Sequence, residues 1–209
     1  MTRDEWLAER RKGLGGSDAS AALGLNPWKT NVQLWEEKTG RREEEDISDK
    51  ECVLYGIGCE RHMRELFALD FPQYTVVPHE EFVSIAHPEY DFLRASLDGE
   101  LIDKNGRHGV LEIKTTNIQS QQMRQAWDGR VPQYYFVQVL HYMLVIGAQF
   151  GVLKARLRSD WNGVWITEKH FHFERADHEE DIAYLLEAEL KFWKYVETDT
   201  RPDLILPAI

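Results

Sequence analysis

Cysteine is nearly absent from this chain: Cys52 and Cys59 are the only two, which is too few for the four thiolates of an iron–sulfur cluster. They stand seven apart in what reads as one helix, about two turns along a shared face, a separation no disulfide spans. Both read as small core residues. Long apolar runs are missing too. No stretch approaches the roughly 18 apolar residues of a membrane-crossing helix, and Met1-Thr2-Arg3-Asp4-Glu5 lacks the apolar segment of a signal peptide. A cytoplasmic location is expected. Internal repeats, low-complexity tracts and Pro/Gly/Ser linkers are also lacking, so residues 1–209 read as one domain.

Positive charge is in deficit. The 25 Lys and Arg face 36 Asp and Glu, a net charge of −11, which argues against nucleic-acid binding over the whole surface. Segregated charge is still compatible with DNA. Arg10, Arg11, Lys12, Lys29, Arg41, Arg42, Arg124 and Arg130 are candidates for a local positive lining, against the plainer reading of solvated surface charges.

Apolar and aromatic residues are plentiful: 43% of the chain is hydrophobic, with seven Trp, nine Phe and eight Tyr, ample for a substantial core. The first third has helical period. Asp4 to Arg11 forms a short amphipathic start, and Ser17 or Asp18 caps a helix after the glycine turn 13–16. Thr30 caps the next helix, the charge run 41–46 is a solvated loop, and Ser48 with Glu51 fits a capping box. That box opens a long helix to about Leu69, with Val53, Ile57, Met63, Leu66 and Phe67 inward. The middle changes to strand period over 82–85, 92–102 and 108–115, and Asn105-Gly106 marks a hairpin between the last two. Helices over 119–127 and from Pro132, strands over 150–157 and 164–173, and a helix over 177–198 complete an α/β (α+β) pattern. A central mixed sheet flanked by helices is expected.

The chemistry lies on the hairpin. Ser96-Leu97-Asp98-Gly99 precedes one strand and Leu111-Glu112-Ile113-Lys114 runs along the next. Glu-x-Lys also occurs at Glu36 to Lys38 and Glu189 to Lys191, but in helical patterns, where residues two apart diverge; on a strand Glu112 and Lys114 share a face. Two carboxylates can hold a hard cation such as Mg²⁺, with Mn²⁺ able to substitute, and such a cation neutralises charge developing on a phosphodiester. Asp98 and Glu112 are the candidate ligands, with the Ile113 carbonyl as a third. Lys114, beside two carboxylates, is expected to stay protonated and act electrostatically. An ordinary same-face ion pair worth about 0.2 to 1 kcal/mol is the plainer alternative. Glu60, one helical turn from Arg64, is a further candidate carboxylate. Gln138, among Val137, Val139 and Leu140, needs a partner if buried: phosphate, water or a metal-bound group. His170 and His172 lack a third ligand and read as surface or packing residues.

Trp6-x-x-x-Arg10, Leu14-Gly15-Gly16-Ser17-Asp18, Gly56-x-x-x-Glu60-x-x-x-Arg64-x-x-Phe67, Ser96 to Gly99, Leu111 to Lys114 and Val137-Gln138 together resemble the lambda exonuclease, or YqaJ-type phage recombinase, branch of the PD-(D/E)XK nucleases. The resemblance runs from Trp6 to about Val145 and implies a restriction-endonuclease-like fold. It also implies a magnesium-dependent exonuclease that degrades one strand of duplex DNA from its 5′ end, leaving a 3′ overhang for a partner annealing protein. By the same resemblance Asp98, Glu112 and Ile113 bind metal, Lys114 is catalytic and Glu60 assists. Arg10, Ser17, Ser96 and Gln138 hold the 5′ phosphate, with Arg11 an alternative to its neighbour. A homotrimeric ring around DNA, inside a bacterial or phage-infected cell, is implied too. Leu97 stands where the superfamily has proline. A restriction- or repair-type endonuclease on the same core and a noncatalytic DNA-end adaptor are the competing readings.

Overall fold

The computed structural model describes residues 2–79, 83–160 and 163–206. Four helices come first: α1 (Arg3–Arg11), α2 (Gly16–Ala22), α3 (Asn31–Lys38) and α4 (Glu51–Asp70). Five strands follow, β1 (Tyr74–Val77), β2 (Ile85–Ala86), β3 (Arg94–Ala95), β4 (Gly99–Asp103) and β5 (His108–Asn117). Then come α5 (Gln121–Ala126), α6 (Gln133–Ile146), β6 (Phe150–Ser159), β7 (Trp165–Glu174) and α7 (Glu179–Glu197). The main sheet runs β1-β4-β5-β6-β7, and β2 pairs with β3 as a separate ribbon. Among the described strands of the main sheet, only β5 and β6 pair in parallel. The intervening α5 and α6 supply the crossover that parallel neighbours require. The expected mixed sheet flanked by helices is what forms.

Each face of the sheet has its own core. On one side Met63 and Phe67 of α4 pack on Leu101, Leu111, Ile113, Phe150 and Val152. On the other, α6 is buried from Val137 to Val145 between the sheet and the helices α2 and α7. Covered on both faces, β5 is continuously buried from Gly109 to Ile113.

Several local expectations change. The long helix begins at Glu51 with Lys50 as its N-cap and no side-chain cap; Ser48 instead donates its amide to Asp46 Oδ1. Of its expected inward residues only Met63 and Phe67 are buried, while Ile57 is 63% and Leu66 41% exposed. The N-terminal half of α4 borders a cleft instead of a core, which leaves Cys52 exposed and Cys59 half-buried rather than internal. Gly15, not Ser17 or Asp18, is the N-cap of α2, and Asp18 reaches back to accept the Gly15 amide at 3.2 Å. A strand not anticipated, β1, adds an antiparallel edge to β4. The expected strand over 92–102 is two short ones, because residues 96–98 leave the ladder; Phe82 and Trp161 lie outside the described residues. His170 packs on Phe71, and His172 pairs with Glu174. The C-terminal segment docks on its own chain: Asn31 of α3 donates to Asp203 O and accepts the Ile205 amide.

Candidate active site

The hairpin turn is set by Asp103, whose Oδ1 accepts the amides of Asn105 and Arg107, and by Gly106 at φ +77°. With register fixed there, the last β4–β5 pair is Gly99 with Leu111. Beyond it Asp98 replaces the ladder, its Oδ2 accepting the Ile113 amide at 2.6 Å. Because the N–H and C=O of one strand residue point to the same side, the Ile113 carbonyl opens to the edge where Asp98 sits. Arg64 of α4 clamps this corner, donating to Asp98 O at 2.5 Å and to Glu60 Oε1 at 3.0 Å.

Strand alternation puts Glu112 and Lys114 on the opposite face from Ile113, against α6. Glu112 is 2% exposed. Its Oε1 accepts from Gln138 Nε2 at 2.8 Å and meets Lys114 Nζ at 2.6 Å; its Oε2 is buried with no hydrogen-bond partner among the described residues. Gln138 in turn contacts Tyr142 OH at 3.1 Å, and Lys114 Nζ lies 5.0 Å from the centre of the Tyr135 ring. Glu60, Asp98, Glu112, Ile113, Lys114, Gln138 and Tyr142 share one cleft of about 300 Å³.

The charges there are mutually tuned. Burial, then repulsion from Glu112, holds the Asp98 carboxyl well above its ordinary value, and burial likewise raises Glu112 against the pull of Lys114. For Lys114 burial opposes the charge, but Glu112, Tyr135 and Asp98 outweigh it, so the ammonium is held above its usual range.

Among the described residues no three His, Cys, Asp or Glu side chains converge as a metal-binding cluster. A cation here would therefore rest on two carboxylates and a carbonyl. The donor set fits: a buried carboxylate oxygen without a partner costs about 1 to 3 kcal/mol unless something compensates it, and Glu112 Oε2 is such an atom beside Asp98.

A second cluster stands next to the first. Trp6 of α1 donates Nε1 to Ser96 Oγ at 3.4 Å, the Arg10 guanidinium lies 4.8 Å over the Trp6 ring, and Arg10 Nη2 donates to Ser17 Oγ at 3.2 Å. Arg10, one helical turn from Trp6, is thus the arginine that meets Ser17 directly and reaches Ser96 through the Trp6 ring, whereas Arg11 turns to solvent. Contact between the clusters runs through Gly16. A methyl group there would lie 2.6 Å from Tyr142 Cε1 and 2.9 Å from Gln138 Cγ. Gly16→Ala should therefore force α2 away from α6, at about 1 to 3 kcal/mol, read as a fall of several degrees in melting temperature; an unchanged melt would show that the contact is slack.

The assembly is anchored by Asp18 and Lys38, both buried. Lys38 Nζ meets Asp18 Oδ2 at 2.7 Å and donates to Arg10 O at 2.9 Å, tying α1, α2 and α3 together. Burial opposes the Asp18 charge, but Lys38, Arg10 and Lys29 hold its carboxyl down to about 2.

Of the other basic candidates, Lys12 pairs with Glu9, Lys29 with Glu37, and Arg41 with Asp199. These pairs hold the fold's own elements together, Arg41 reaching Asp199 from 158 residues away. The sequence pattern marks Trp6 and Tyr135 only weakly. For Trp6 a signal existed, its four-residue spacing from Arg10; Tyr135 had only the look of a core position.

A family model for the YqaJ-like viral recombinase domain matches residues 5–149. The chain belongs to that family. It is 34% identical over 194 residues to the uncharacterized protein YqaJ of Bacillus subtilis (strain 168), covering 92% of this chain but 56% of that protein. The chain thus spans little more than half the length of that relative. Among solved structures, the alkaline exonuclease LHK-Exo of Laribacter hongkongensis superposes with a TM-score of 0.66 at 17% identity, over 94% of this chain and 93% of the other. A phage-related exonuclease from Haemophilus somnus 129PT superposes with a TM-score of 0.54 at 11% identity, over 90% and 96%. At such identities the likeness is one of fold, and within this YqaJ-like domain the two clusters lie inside the matched span.

Proposed function

We propose that this domain is a magnesium-dependent 5′-to-3′ exonuclease on duplex DNA. The observation that carries the reading is the buried, unpartnered Glu112 Oε2 beside Asp98 and Lys114, next to an Arg10–Ser17–Ser96 cluster suited to phosphate. The family and the exonuclease fold neighbours support it.

Asp98, Glu112 and the Ile113 carbonyl would hold the cation, with Glu60 close enough to assist. When bound, Mg²⁺ supplies charge neutralisation at the phosphate and acidifies a water. Lys114 holds positive charge where the phosphodiester gains negative charge, and its own proton stays in place. Arg64 orients Glu60 and the Asp98 backbone. At the strand end, Arg10 would offer a guanidinium to the 5′ phosphate, with the hydroxyls of Ser17 and Ser96 and the Gln138 side chain completing its contacts. Products would be 3′ overhangs, the substrate of a single-strand annealing protein. A homotrimeric ring in the cytoplasm of a bacterial or phage-infected cell completes the proposal.

The test is digestion of linear duplex with and without 5′ phosphate, beside closed circular DNA, in Mg²⁺. Progressive loss from phosphorylated 5′ ends is expected. Internal cutting of the circle would favour an endonuclease, and end binding without cleavage an adaptor. Arg10→Ala should lose most of the preference for phosphorylated ends, about tenfold or more given the 1.5 to 3 kcal/mol of a charged hydrogen bond; a preserved preference would place the phosphate elsewhere.

A further inference from the structure

Trp28 is 70% exposed, yet it is held firmly. Pro27 precedes it, and Asn26 Oδ1 accepts the amides of both Trp28 and Lys29, while Asn26 Nδ2 donates to Ser20 of α2. Its ring stands edge-on to Tyr134, with centroids 4.9 Å apart and planes at 74°. From there the aromatic contacts lead inward: Tyr134 to Tyr135 at 4.4 Å, and Tyr135 to the Lys114 ammonium at 5.0 Å.

Position gives this arrangement its meaning. Tyr134, Gln138 and Tyr142 recur at four-residue spacing and so form one stripe along α6. Gly16, next to Ser17, packs on the inner two members of that stripe, and Trp28 covers the outer one. Lys29, the next residue, shares Glu44 with Arg10, at 3.6 and 3.9 Å respectively. Trp28 therefore lies between the basic group around Arg10 and the aromatic end of α6. A rigid, solvent-facing indole near the Arg10 guanidinium is an arrangement that stacks nucleobases, because every base offers a π face.

We infer that Trp28 is a base-stacking residue, receiving the 5′-terminal nucleobase of the strand whose phosphate is held by Arg10, Ser17, Ser96 and Gln138. This rests on the exonuclease reading. Tyr134 acts as a positioning residue, buttressing the indole edge so that its face stays presented. Stacking on an aromatic ring does not depend on base identity, so the subsite accepts all four bases.

The experiment uses the full chain carrying Asp98→Asn to prevent cleavage, with a 5′-phosphorylated duplex bearing 2-aminopurine at the 5′-terminal position. Binding should quench 2-aminopurine emission severalfold. With Trp28→Ala added, the quench should disappear and the end affinity fall about tenfold, while Trp28→Tyr restores both. A purely structural role would not be rescued in the quench. Full quenching in Trp28→Ala, or quenching only when the probe is on the complementary 3′-terminal base, overturns the assignment while leaving the exonuclease reading intact. Failure of the Asp98→Asn chain to bind duplex ends at all overturns both.

Discussion

Asp98→Asn should lower the rate of DNA hydrolysis by about 10³-fold or more, equivalent to about 4 kcal/mol of barrier, without making the protein less stable. The amide keeps an oxygen for the Ile113 amide and removes the charge that Glu112 repels. The sign follows from linkage. A carboxyl whose folded value lies above its unfolded one binds its proton more tightly in the native state, so stability contributed by that site falls as pH rises past the unfolded value of 3.8. At neutral pH and without added cation, the upward shift of Asp98 therefore costs stability. Thermal melts in a chelator should place Asp98→Asn at or above the parent, and added Mg²⁺ should raise the melting temperature of the parent more than that of the variant. A variant that keeps its rate, or that melts lower, would remove Asp98 from the proposed site.

Asp18→Asn should act in the opposite way, through folding. It strands the buried Lys38 ammonium, and breaking such a pair costs about 3 to 5 kcal/mol, on the order of a 10 °C fall in melting temperature for a chain of this size. Activity should fall with it, because Lys38 also holds Arg10 O and so the arginine of the second cluster. Replacing both partners, Asp18→Asn with Lys38→Met, should recover much of the loss, since the unpaired charge is gone. The same pair predicts acid lability. With its folded value at about 2 against 3.8 in the unfolded chain, Asp18 contributes stability that is complete above 3.8 and is lost as pH falls toward 2. If the double variant melts no higher than the single one, the ion pair is not what links α2 and α3.

The hairpin could be read from sequence because its signals are local: Asn-Gly for the turn, alternation for the faces, Glu-x-Lys on a strand. What could not be read is how distant segments meet. Nothing in Gly16 announces that it touches Tyr142 and Gln138, because that contact depends on how α2 lies across α6. Ile57 and Leu66 misled because helical period marks a face and not what the face meets: Ile57 stands in the N-terminal half of α4, which borders the cleft, and Leu66 stays 41% exposed in the half where Met63 and Phe67 are buried. Resolving Arg10 from Arg11 required only the direction of one helix, about 100° per residue, but that direction is fixed by Trp6 against Ser96, 90 residues away in sequence.

The two candidate carboxylates flank a single turn, and this sets what the domain tolerates. Insertions at residues 104–106 would lengthen a surface loop at small entropic cost, since doubling a loop adds only about 0.6 kcal/mol. A slip of one residue between β4 and β5 is another matter. It would turn Glu112 and Lys114 to the opposite face and bring Ile113 inward in their place, dismantling the site with every element still folded. The tip of the hairpin is thus open to variation in length, while the parity of its ladder is not.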